Sequence, residues 1–137
     1  MVEKATVLRK LGELHRYLED VRGRLPAESG ALKADEDLHD LLAFRLLLAV
    51  QNAIDLAMHM VASRGESVPG SYREAFEILA RAGVLDDALA SKLADAAALR
   101  NRIAHVYGGM EWGRLHAEIP GHLAALERFA VVVAAAV

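Results

Sequence analysis

The stretch from about Asp37 to Arg64 is the feature that most constrains the fold. Leu41, Leu42, Phe44, Leu46, Leu47, Val50, Ile54, Met58 and Val61 make it apolar almost all round. A segment of that length reads as a helix, and one that is apolar on every side must be wrapped by other elements. The rest of the chain has to supply the wrapping.

It does so with further helical patterns. Val7, Leu11, Leu14, Leu18, Val21 and Leu25 recur at spacings of four and three, which predicts one buried stripe on a first helix ending near Pro26. Residues 27 to 35 read as a loop, with Asp35, Glu36 and Asp37 suited to the N-terminal turn of the central helix. Ser71-Tyr72-Arg73-Glu74 fits a capping box that opens a short helix, stopped at Gly83. Asp86 can cap the next helix, which runs through Leu89, Leu93, Ala96 and Ala97 and stops at Gly108-Gly109. A last helical region from about Glu111 is interrupted by Pro120-Gly121, where a kink or break is expected. At 137 residues the expectation is one domain, residues 1 to 137, folded as an all-α antiparallel bundle of four to five helices.

Composition excludes some chemistries. There is no cysteine among the residues, hence no disulfide, thiol nucleophile or cysteine-ligated zinc. A net charge of −3 gives no general footprint for nucleic acid, so a polyanion would have to be met in one local cleft. The N-terminal residues show a polar helical pattern and not a secretory signal, which makes the cytoplasm the expected location. The longest uninterrupted apolar runs, 46 to 50 and 129 to 137, fall short of a bilayer's thickness, so no membrane association is expected.

Arg100-Asn101-Arg102-Ile103-Ala104-His105-Val106-Tyr107 stands apart. It gathers two guanidiniums, an amide, an imidazole and a phenol at a helix end, and a segment that only had to pack would have no use for them. On an ideal helix Arg100 and Tyr107 share a face, whereas Arg100 and His105 lie about 140° apart. Bringing those two together requires a long arginine reach, unwinding near the glycines, or the same helix from a second copy across an isologous interface. An imidazole can take a proton from a hydroxyl and return it to a leaving oxygen, and a guanidinium can clamp a phosphate and stabilise its developing charge. RNA carries its own nucleophile, the 2′-hydroxyl, so this set suffices for cleavage without a metal or other cofactor. Spacing alone leaves catalysis and a hydrogen-bonded helix end equally open.

Arg45, Asn52, Asp55 and His59, with Gln51 beside them, fall close to one stripe of the central helix. They read either as a solvent-facing strip or as the lining of the same cleft. Asp55 and His59 lack a third ligand to make a metal site. Asp55 is instead a candidate to accept a hydrogen bond from Arg100 or His105, or to form an ordinary intrahelical pair. His15, His39, His116 and His122 read as exposed, Trp112 as a packing anchor, and the tail from Ala130 to Val137 as core or dimer contact.

The segment with Arg100, Asn101, His105 and Tyr107 in register resembles the R-x-x-x-x-H-x-Y motif of the HEPN superfamily, in particular its HepT-like (DUF86) branch. Leu48 to His59 is similar to the family's second-helix pattern, and Ser71 to Phe76 with Gly83-Val84-Leu85 to the piece leading into the motif. The likeness covers roughly residues 40 to 130.

The resemblance implies a homodimeric, metal-independent ribonuclease, the toxin of a toxin–antitoxin pair whose partner is an MntA-type nucleotidyltransferase. It implies that Arg100 and His105 are catalytic and that Tyr107 accepts AMP from the antitoxin, which blocks RNA; Asn101, which can orient His105 or contact the phosphate, and Asp55 are supporting candidates on their own chemistry. Arg102 is an additional cation for RNA or a plain surface arginine. The alternative reading is a catalytically silent HEPN subunit that presents a nucleotide or substrate to a separate nucleotidyltransferase. Gly108 to Gly113 departs from the more acidic stretch associated with the family.

Overall fold

The structure, a computed structural model, describes residues 3–137. Six α-helices follow one another: α1 Lys4–Arg24, α2 Ser29–Ala34, α3 Glu36–Ser63, α4 Tyr72–Arg81, α5 Asp87–His105 and α6 Trp112–Ala135. A single turn of 3-10 helix, Tyr107–Gly109, links α5 to α6.

Side-chain caps start three of them. Asp35 accepts from the amide of Leu38 at 3.0 Å, Ser71 from Glu74 at 3.1 Å and Asp86 from Leu89 at 2.7 Å. In return Glu74 accepts the amide of Gly70 at 2.7 Å, one residue earlier than a standard capping box. Gly83, at φ +79, ends α4: the amide of Val84 reaches back to the Leu79 carbonyl at 2.9 Å, a closure that needs a left-handed residue.

The all-round apolar helix is central, as its composition requires. α3 touches every other α-helix, and its buried Leu42, Leu46, Ala49, Val50, Ala53, Ile54, Leu56 and Ala57 anchor one continuous core. By length and composition α3 could cross a membrane, with a mean hydropathy of 1.6 over its most apolar window, but 56% of that window is buried against the other helices. That burial accounts for its hydropathy. α1 contributes Val7, Leu14, Leu18 and Val21, the stripe expected from its spacing. Phe76 of α4 meets Phe129 of α6 edge to face at 5.8 Å between ring centres.

Two local expectations are corrected. Residues 29 to 34 are not loop but the short helix α2, held down by fully buried Leu32. α6 runs unbroken through Pro120. Pro120 and Gly121 both lie on its exposed side, so the amide hydrogen bond that proline forfeits is lost where water can serve the carbonyl. The tail also divides: Val133 is buried and Val131 points out.

Candidate active site

α5 lays the motif along α3, from Gln51 near its middle to Asp40 in its second turn. Its Leu89, Leu93, Ala96, Ala97, Leu99 and Ile103 are buried, which fixes the rotation of the helix and therefore the direction of every polar residue between them. Arg100 turns towards α3 and α4. Its Nε donates to Gln51 Oε1 at 3.1 Å, and its guanidinium carbon lies 5.7 Å from the centre of the Tyr72 ring. Nη1 also reaches Asn101 Oδ1 at 3.3 Å, a contact open to solvent.

Asp55 does not touch Arg100 or His105, contrary to expectation. Gln51 stands one turn nearer on the same helix and takes the position between them. The Gln51 amide nitrogen donates to Asp55 Oδ1 at 3.0 Å, and Lys10 of α1 holds Oδ2 at 3.3 Å. Because Asp55 can only accept, it fixes which end of the Gln51 amide faces Arg100. The result is a chain Lys10–Asp55–Gln51–Arg100 across three helices. His59 has a separate role, its Nε2 accepting the backbone amide of Glu3 at 3.3 Å. Nor do the polar residues of α3 form a single strip. Arg45 turns to α1, 3.3 Å from Asp20 and over the Tyr17 ring at 5.8 Å, while Asn52 is buried.

His105 occupies the last turn of α5, exposed, as do Ala104 and Val106 beside it. The α-helix stops there because Val106 leaves helical geometry at φ −131, ψ 35. Tyr107 therefore belongs to the 3-10 turn and not to the Arg100 face of α5. Its ring is 37% exposed and packs edge-on to Trp112 at 5.6 Å. Its hydroxyl donates to Oδ1 of Asp40 on the first turns of α3. Partial burial, the hydrogen bond to Asp40 and the charges of Asp40 and Glu36 hold the phenol proton well above the ordinary tyrosine range.

Trp112 anchors this corner by stacking on His39 at 3.8 Å, and His39 Nδ1 lies 3.0 Å from the same Asp40 oxygen. His39 is buried, as is His122, and His116 meets the Pro26 carbonyl at 2.7 Å. Of the four histidines expected to be exposed, His15 is the one that is.

Arg102 faces the opposite way from Arg100, as two residues and about 200° of helix require. Its fork meets Glu118 of α6 at 2.9 Å. Burial raises the Glu118 carboxyl, but the Arg102 hydrogen bond and the charges of Arg102, Arg114 and His122 outweigh it and hold the group below the usual carboxylate range. Arg102 thus lines a separate open groove of about 560 Å³ between α5 and α6. No three His, Asp or Glu side chains gather to hold an ion among the described residues.

The fifth helix of this all-helical bundle presents an arginine and a histidine five residues apart, with a tyrosine just beyond it. Residues 14–133 match the family described as ribonuclease HepT-like, and the chain belongs to that family. The mRNA nuclease HepT of Shewanella oneidensis is 23% identical over 129 residues, covering 94% of this chain and 96% of that one. Among solved structures, the tri-AMPylated Shewanella oneidensis HEPN toxin in complex with MNT antitoxin superposes with a TM-score of 0.88 at 22% identity, covering 97% and 99% of the two chains. The cytosolic protein of unknown function YutE from Bacillus subtilis gives 0.84 at 20% identity, over 98% and 90%. At these identities the structural likeness is one of fold.

Proposed function

We propose that this chain is an RNA-cleaving toxin, acting as a single HEPN-like unit of residues 1 to 137 in the cytoplasm and controlled by a nucleotidyltransferase antitoxin. The observation that carries the reading is the unequal treatment of Arg100 and His105. Arg100 is steered by Gln51 through its Nε, which leaves for a ligand its terminal fork, engaged only by the solvent-open contact of Nη1 with Asn101, while His105 is left in solvent at the helix end.

In this mechanism Arg100 holds a bridging phosphate of RNA and stabilises the charge that builds on it in the transition state. His105 takes the proton of the adjacent 2′-hydroxyl, whose oxygen attacks phosphorus. The bond to the 5′-oxygen breaks, and an imidazolium returns the proton to that leaving oxygen. The RNA supplies the nucleophile, so the reaction as drawn requires neither metal nor other cofactor. Asn101 steadies the guanidinium from solvent.

Arg100 and His105 diverge around α5, and a homodimer brings the two types of group together from opposite protomers. Phe44 supports this arrangement: one turn along α3 from Asp40, it leaves an apolar side chain 55% exposed beside the site. Tyr107 is the acceptor of AMP from an MntA-type partner. The reading is supported by relatives described as an mRNA nuclease and as an AMPylated toxin bound to an antitoxin.

The test is cleavage of a mixed pool of single-stranded RNA by the purified chain in the presence of a chelator. Cleavage that disappears in His105→Ala supports the assignment. A parental protein that binds RNA or nucleotide without cutting would instead make it a silent binding subunit.

A further inference from the structure

We propose that Asp40 is the proton acceptor for the modification of Tyr107, so that the toxin carries the general base for its own inactivation. The inference rests on the reading of Tyr107 as an AMP acceptor.

A tyrosine hydroxyl is a poor nucleophile while it keeps its proton, and an adjacent base is the usual means of activating such a group. The Tyr107 hydroxyl already donates to Asp40 Oδ1, across 67 residues of sequence. One further contact bears on that carboxylate, which sits on the fifth residue of α3. The Nδ1 of buried His39 lies 3.0 Å from the same oxygen without a hydrogen-bond partner, and the His39 ring is clamped on Trp112 at 3.8 Å. Tyr107 is exposed enough for a nucleotide to approach.

The phenolic oxygen attacks the α-phosphorus of a nucleoside triphosphate, its proton passes to Asp40, and the α–β phosphoanhydride bond breaks to release pyrophosphate. A Tyr107–AMP phosphodiester remains. The adduct can no longer donate to Asp40, and its phosphate repels that carboxylate, so the modified ring must leave the corner it occupies in the free chain.

The experiment uses the full chain and adenosine 5′-phosphorimidazolide, an activated AMP donor that needs no partner enzyme. Tyr17 and Tyr72 serve as internal controls, with AMP at each tyrosine followed by peptide mass spectrometry. A positioned general base is worth on the order of 100-fold or more, so Tyr107 is expected to gain AMP about 100-fold faster than either control. In Asp40→Asn its rate should fall to theirs, and in Asp40→Glu it should recover most of the difference.

Circular dichroism establishes that the variants keep their helices, and a solvent isotope effect at Tyr107, absent from Asp40→Asn, separates proton transfer from mere positioning. Equal rates at all three tyrosines, or an Asp40→Asn variant modified as fast as or faster than the parent, would overturn the proposal. RNA cleavage is measured in parallel: a chain that cuts RNA but shows no effect of Asp40 loses this inference alone. One that shows the Asp40 effect but never cuts RNA loses the toxin reading alone.

Discussion

Gln51→Leu is the substitution that most directly probes how the proposed phosphate clamp is held. It keeps the size of the side chain and deletes the acceptor for Arg100 Nε at 3.1 Å and the donor to Asp55 at 3.0 Å. A hydrogen bond to a charged group contributes about 1.5–3 kcal/mol, and the half-buried position of Arg100 argues for the lower end. The Tyr72 ring remains under the guanidinium at 5.7 Å and retains roughly 0.5–1 kcal/mol of the hold. The expected loss is therefore about 1.5 kcal/mol, or roughly tenfold in kcat/KM, well short of the loss from Arg100→Ala. Initial rates on a fluorogenic RNA measure it. Asp55→Asn should cost less, and Gln51→Leu combined with Asp55→Asn should be no worse than Gln51→Leu alone, because the two residues act in series. A Gln51→Leu protein with parental kcat/KM, beside an inactive Arg100→Ala, would refute the steering role.

His105→Ala should abolish RNA cleavage while shifting unfolding by no more than about 0.5 kcal/mol, since the side chain is exposed; denaturant titration and the cleavage assay check both. Phe129→Ala should destabilise the fold by about 3–5 kcal/mol, because the ring is fully buried against Phe76, as read by urea denaturation. Burial, and the charge of Arg102, depress the His122 imidazole below 6.5 against the opposing pull of Glu118 and Asp95. The unfolded chain then binds the proton more readily, so stability should fall as pH drops through 6.5 towards the lower folded value. His122→Phe should flatten that part of the pH profile of thermal unfolding, and an unchanged slope would assign it elsewhere.

Periodicity carried most of the bundle. The α1 stripe, the all-round apolar α3 and the Ser71, Gly83 and Asp86 boundaries depend on near neighbours, and the chain encodes near neighbours directly. The motif's position at the end of α5 was legible for the same reason. What escaped was tertiary. Gln51 was visible only as a neighbour of a polar strip, and nothing local says that it, and not Asp55, faces Arg100. Asp40 looks like any acid near a helix start until α5 and the 3-10 turn bring Tyr107 to it. Nothing local marks His39 and His122 as buried, because a lone histidine on an amphipathic stretch gives no sign of whether an aromatic ring or a groove will cover it. Glycines at 108 and 109 promised a helix end, but a three-residue 3-10 turn there depends on how Trp112 packs.

That turn bears on how such a chain can be switched off. Tyr107 stands outside the hydrogen-bonding ladder of α5, on a segment only three residues long. A bulky adduct there disturbs no core layer and breaks no long helix. Under the proposed function, silencing would then be local: the active chain and the modified one would share one scaffold, and disarming the protein would not require destroying it.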